Sequence, residues 1–126
     1  MPVLAAVGDA VCSLYIRARL ACGGSWRARS LHQAATRWTS AVGQAGLLPL
    51  LDGLLEPDER DIVRRGRNTK TGRGPKNVPV GVYRASTGLE ALLGYLYLQG
   101  RTKRLETILE ALWEAAPGGG GGDGEG

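Results

Sequence analysis

From Ala85 to Gly100 the chain carries one charge, Glu90, in a run made mostly of Leu, Ala, Gly and Tyr. Leu89, Leu92, Leu93 and Leu96 recur around that acid at helical spacing. A stretch so apolar predicts a helix over about 82–98, ended at Gly100. Asp9 sits in the same kind of setting. It is the only charged residue from Met1 to Ile16, with Val7, Ala10 and Cys12 close by.

The remaining pattern is also helical. Val7, Val11, Leu14, Ala18 and Ala21 mark one face of a first helix over about 5–21, stopped at Gly23-Gly24. Leu31, Ala34, Ala35, Trp38, Ala41, Val42 and Ala45 predict a second, with Ser30 as its N-cap and an interruption at Gly46. A short Leu-rich helix over 47–55 follows, with Pro49 in its first turn. A fourth starts at Pro57, whose Asp58, Glu59 and Asp61 suit the positive end of a helix dipole. A last helix spans about 101–115, with Leu105, Ile108, Leu109 and Leu112 on one side. Phe is absent and the hydrophobic fraction is 43%, mostly Leu, Ala and Val, a mixture that favours helices over strands. The expectation is an all-α bundle in one domain, residues 1–116. The segment 117–126, PGGGGGDGEG, has nothing to bury and is expected to be disordered.

An ionised carboxylate in apolar surroundings is costly unless it faces water, pairs with a base or binds a cation. Either acid alone could simply point outward. Two of them on two helices can converge across an interface, as in carboxylate metal sites of helical bundles. Asp9 and Glu90 are therefore the candidate catalytic and metal-holding residues. Mg²⁺ suits so few protein ligands, because it keeps waters and takes phosphate oxygens.

The net charge is +4, yet Arg64, Arg65, Arg67, Lys70, Arg73 and Lys76 alone exceed it, with no acid between them. Gly66, Gly72, Gly74, Pro75 and Pro79 read as breakers, so 66–79 is expected to be a loop. With Asn68 and Asn77 it forms a candidate surface for phosphates. No aromatic residue interleaves with the bases, which favours a duplex read by backbone and shape over stacked single strands. A solvated basic loop without a ligand is the plainer alternative, and an anionic membrane is disfavoured by the lack of an apolar face.

Cys12 and Cys22 form no CxxC pair, which disfavours zinc, and Cys12 reads as core packing. His32, the sole histidine, reads as a polar helix residue near the site more than as a general base. Tyr83 and Arg84 are weaker candidates for RNA contact. Neither a signal peptide nor a membrane span is evident, and a cytoplasmic location is expected.

The step Gly8-Asp9-Ala10 and the run Leu89-Glu90-Ala91-Leu92-Leu93-Gly94-Tyr95-Leu96-Tyr97 resemble the ribonuclease III signature. Arg64-Arg65-Gly66-Arg67-Asn68, Lys70, Pro75-Lys76-Asn77, Leu31-His32, Thr36, Ser40-Ala41 and Gln44-Ala45 resemble its smaller branch, the Mini-ribonuclease III family, over residues 3–113. The resemblance implies an all-helical ribonuclease III catalytic domain without a double-stranded-RNA-binding domain. It implies a homodimer that cuts duplex RNA with Mg²⁺ and matures the ends of large-subunit ribosomal RNA precursors. A ribosomal protein on that precursor is a further expected partner. Asp9 and Glu90 carry over as the acidic metal site, and Arg64–Asn77 as the RNA-facing stretch. Larger ribonucleases III hold acids where this chain has Ala5 and Thr87, so an acid-poor site is expected, with Thr87 able to hold a metal-bound water. A silent RNA-binding module and an oligomeric helical scaffold are the rival expectations.

Overall fold

A computed structural model describes residues 2–69 and 74–116, all in helices and their connections: α1 (Pro2–Cys22), α2 (Ala28–Thr39), α3 (Ala41–Leu51), α4 (Pro57–Arg67), α5 (Val80–Leu98) and α6 (Thr102–Ala115). No strand occurs among the described residues. The all-α expectation holds. The Gly-rich tail expected to be disordered lies outside the described residues.

The central helix is α5. Leu89, Ala91, Leu92, Leu93 and Leu96 are wholly buried, because α1, α3, α4 and α6 all pack on it. Two of these neighbours approach it through glycine. A Cβ added at Gly8 of α1 would stand 1.7 Å from the Glu90 carbonyl oxygen, and one at Gly94 of α5 would stand 1.9 Å from that of Leu4. Main chain therefore meets main chain along the α1–α5 seam. On the other side, a Cβ at Gly66 of α4 would lie 2.9 Å from the Gly88 Cα, and one at Gly88 would lie 2.7 Å from the Val63 carbonyl oxygen. Gly66 is thus no breaker. It sits inside α4, and its missing side chain lets α4 lie against α5.

The outer helices are pinned by polar clasps. Trp38 of α2 stacks on Trp113 of α6, with centroids 4.7 Å apart, and its indole N–H donates to the Leu112 carbonyl at 3.0 Å. Glu59, read from sequence as a helix-dipole partner, is wholly buried. Arg104 of α6 donates to both its oxygens at 2.6 Å, and the Glu56 amide donates at 2.8 Å. Burial alone would raise this carboxyl, but Arg104 and the Glu56 amide outweigh it and hold the group below its usual range. A buried carboxylate so satisfied clasps α4 to α6.

Several boundaries differ from the sequence reading. The second helix breaks at Ser40, not at Gly46, because the Ser40 hydroxyl accepts from the Gly43 amide at 3.0 Å and caps a new helix. Ser30 lies inside α2, and Arg27 holds the N-cap place without a side-chain cap. Pro49 falls near the end of α3, not in a first turn. The cost of its missing N–H is limited there, because α3 stops two residues later. Helix α5 starts at Val80, directly after Pro79. Among the described residues no helix is long and apolar enough to cross a membrane.

The seam predicts an asymmetry between glycines. Gly94→Ala should force α1 and α5 apart and cost at least about 1–3 kcal/mol. Gly46→Ala, with nothing within 4 Å of an added Cβ, should be neutral or stabilise α3 by about 0.5–1 kcal/mol. Urea denaturation measures both; equal stabilities would show that the seam has slack.

Candidate active site

Because Gly8 lies against the main chain of Glu90, the next residue of α1 is carried to the same place. Asp9 and Glu90 come together, close enough for Asp9 to raise the Glu90 carboxyl. They line one cleft of about 410 Å³. Ala5 and Asp9 stand one turn apart on the α1 wall. Tyr83, Ser86, Thr87 and Glu90 form the α5 wall, and Thr39, Ala41 and Pro75 close the rim. Asp9 is exposed at the mouth, whereas Glu90 is half-buried.

The pair is electrostatically uncomfortable. Burial, and then the hydrogen bond and charge of Asp9, push the Glu90 carboxyl up to about 8, against an opposing pull from Gln44. No Lys, Arg or His lines the cleft among the described residues. Two carboxylates without a base can share a proton or hold a cation. No group of three or more His, Cys, Asp or Glu that could hold a metal occurs among the described residues. The donor set is thus two carboxylates, which fits a hard ion that completes its shell with water and phosphate oxygen. Asp9 and Glu90 are the residues that could hold it. The two positions where an acid was expected to be missing, Ala5 and Thr87, both face this cleft, and the Thr87 hydroxyl donates to the Tyr83 carbonyl at 2.9 Å.

Two polar residues behind the acids escaped the sequence reading as site residues. Gln44 of α3 is wholly buried and pulls the Glu90 carboxyl down against its burial. Ser86 of α5 donates to Gln44 Oε1 at 2.5 Å. A lone amide in the apolar run Ala41–Leu51 was the available signal. Cys12 packs behind them, as expected of a core residue. Burial pushes its thiol up to about 12, and it donates to the Trp38 carbonyl at 3.6 Å.

None of the described basic residues lines the cleft. Arg64, Arg67 and Asn68 line a separate groove of about 580 Å³ between α3, α4 and α5. Arg64 pairs with Asp61, and Arg65 reaches the same carboxylate at 3.8 Å. Lys76 and Asn77 are exposed on the approach to α5, while Lys70 and Arg73 lie outside the described residues. One end of the stretch does reach the acids. Gly74, at φ 73°, lies so close to the Tyr83 ring that a Cβ would stand 2.6 Å from it, and Pro75 then lines the acid cleft. Arg84 is exposed. His32 is exposed on α2, 2.8 Å from Arg17, and does not line the cleft.

A single all-helical domain with a carboxylate pair across a helix seam, edged by a basic segment, defines the class: a nuclease-like helical domain. Residues 2–101 match the family described as Ribonuclease III domain. The chain is 48% identical over 108 residues to a Mini-ribonuclease 3 of Thermoanaerobacter sp. (strain X514), covering 86% of this chain and 76% of that protein. It is 45% identical to one of Symbiobacterium thermophilum, covering 86% and 83%, and 44% identical to one of Streptococcus pneumoniae, covering 84% of each. A crystal structure of a Fusobacterium nucleatum protein superposes with a TM-score of 0.74 at 26% identity, covering 85% of both chains. The chain belongs to the ribonuclease III domain family, and the protein is an endoribonuclease of that type.

The coupling of the two acids can be measured. The unfolded chain ionises Glu90 near 4.5 and the metal-free fold near 8. The fold binds the extra proton between them, so this contribution to stability is lost as pH rises through that window. Asp9→Asn should lower the Glu90 value and flatten the loss. Carboxyl NMR titration and melts against pH in chelator report it; an unmoved Glu90 would mean that the two groups do not share a site.

Proposed function

We propose that this endoribonuclease cleaves double-stranded RNA with Mg²⁺ held by Asp9 and Glu90, and that it does so as a homodimer. The observation that carries the reading is the convergence of the chain's two isolated acids in one cleft with no base among its described lining residues. When bound there, Mg²⁺ would polarise a phosphate, activate water and offset charge on the leaving oxygen. The protein's part is positional. The α1–α5 seam sets the spacing of the carboxylates. Glu90 must give up its proton for the cation, so binding is favoured as pH rises towards 8. The Thr87 hydroxyl oxygen faces the cleft and is placed to hold a water.

Duplex RNA is the substrate class that fits the rest of the surface. Arg64, Arg65, Arg67 and Asn68 at the end of α4, with Lys70, Arg73, Lys76 and Asn77 beyond it, form a phosphate-binding stretch without a stacking platform. Gly74 against the Tyr83 ring and Pro75 in the cleft wall bring the end of that stretch beside the acids. The homodimer is supported by an apolar depression lined by Ala6, Val7, Ala10, Val11 and Leu14 of α1 and by Tyr97 of α5. Leu14 there is 72% exposed. Ala6 lines both this depression and the acid cleft, so a second copy seated there would stand next to the site. The likeness to Mini-ribonucleases 3 supports a finer reading, in which the substrate is the end of a large-subunit (23S-type) ribosomal RNA precursor in the cytoplasm. A ribosomal protein on the precursor is a further partner in that reading.

Asp9→Asn and Glu90→Gln should each slow Mg²⁺-dependent cleavage of a duplex precursor stem by about 100-fold or more, since a metal contributes several kcal/mol to such a step. Cutting that survives both changes would remove the acids from the chemistry. A wild type that binds the stem without cutting it would favour the silent-module reading. Neutralising Arg67, Lys70, Arg73 and Lys76 should weaken binding most at low salt. The plot of log affinity against log salt should flatten by close to one unit for each phosphate no longer neutralised. An unchanged slope would place the RNA elsewhere. Sedimentation of wild type and Leu14→Glu tests the dimer face, with association expected only for the former.

A further inference from the structure

The buried side of the acid cleft is organised by one neutral side chain. Gln44 is wholly buried, and each end of its amide meets a different helix. Its Oε1 accepts from the Ser86 hydroxyl of α5 at 2.5 Å. Its Nε2 donates to Cys12 Sγ of α1 at 3.8 Å. Ser86 stands one turn before Glu90 on α5 and lines the same cleft, and Gln44 pulls the Glu90 carboxyl down against its burial. The Cys12 thiol proton is already given to the Trp38 carbonyl, so its sulfur can only accept from Gln44. Turning the amide over would set its oxygen against that sulfur, so the amide has one satisfactory orientation. Among the described residues no buried side-chain nitrogen or oxygen lacks a partner, so this network is closed.

A closed buried network behind a carboxylate limits the rotamers that the carboxylate can take. We propose that Gln44, oriented by Ser86 and Cys12, is a positioning residue that holds the Glu90 carboxylate where it would meet a divalent cation. The inference rests on the reading of Glu90 as a metal-holding residue and adds what keeps it in place. Its reach into the site depends on the corner at Ser40. That break starts α3 and carries Gln44 to Ser86, which lines the cleft. Groups that orient metal ligands typically change metal affinity or activity by about 10- to 100-fold when removed.

The test uses Mn²⁺ binding to the RNA-free protein, followed by the EPR signal of the free ion, in wild type, Gln44→Leu, Ser86→Ala and Glu90→Gln. Affinity for duplex RNA without divalent metal is measured alongside. Gln44→Leu keeps the volume and removes the amide; it should weaken Mn²⁺ binding about 10-fold or more and leave metal-free RNA affinity unchanged. Ser86→Ala removes one hydroxyl behind the amide and should weaken Mn²⁺ binding roughly 2- to 10-fold, the value of one hydrogen bond. Wild-type Mn²⁺ binding in a folded Gln44→Leu overturns the proposal. Should that variant fail to fold, wild-type binding in Ser86→Ala overturns it instead. Glu90→Gln separates the two ideas. If it binds Mn²⁺ like wild type, the metal reading of Glu90 fails. If it loses binding while Gln44→Leu and Ser86→Ala do not, only the positioning role fails.

Discussion

The close approach of α1 to α5 is the constraint on which the molecule turns. Gly8 and Gly94 have no side chain, so the two backbones touch where a methyl group would meet a carbonyl oxygen. Helices held by interlocked side chains usually stand about 8–10 Å apart; a glycine seam removes that padding. The geometry of the acid pair follows from it. An acid adjacent to Gly8 is set beside Glu90 whatever the surrounding loops do. The site therefore stands on two rigid elements, which hold geometry better than loops. The Gly66–Gly88 contact does the same for α4, and so fixes the place from which the basic stretch departs.

This arrangement stores repulsion at the site and compensates elsewhere. Glu59 shows the alternative fate of a buried acid: Arg104 and the Glu56 amide satisfy it, and it only binds helices together. Glu90 receives an amide and a second acid but no base. Burial raises the one carboxyl and cations lower the other. That contrast separates a structural carboxylate from one poised for a cation better than burial does.

Much of this was legible in the sequence, for reasons that can be named. Leu89 through Leu96 announce α5 because burial requires apolar spacing. Asp9 and Glu90 stand out because a charge in that company needs an explanation. The corner at Ser40 was hidden, since the apolar steps from Leu31 to Ala45 run through it unbroken. Only the fold brings Gly43 within 2.2 Å (measured from an added Cβ) of the Arg37 carbonyl oxygen. In the sequence Gln44 draws notice only as part of a family motif, because a neutral amide raises no alarm until its neighbours are known. Gly66 was misread because a glycine that breaks a helix and one that lets two helices touch look alike in one dimension. The basic run was legible as composition, but the turn of Arg64 and Arg67 towards a separate groove depends on helical phase near the end of α4.

Asp61 adds a last consequence. It pairs with Arg64 and reaches Arg65, so two of the cations on the basic stretch already have an anion. A phosphate that took either of them would displace a carboxylate, and the gain would be the difference between two ion pairs. Through one half-buried aspartate, the surface tempers its own hold on anions.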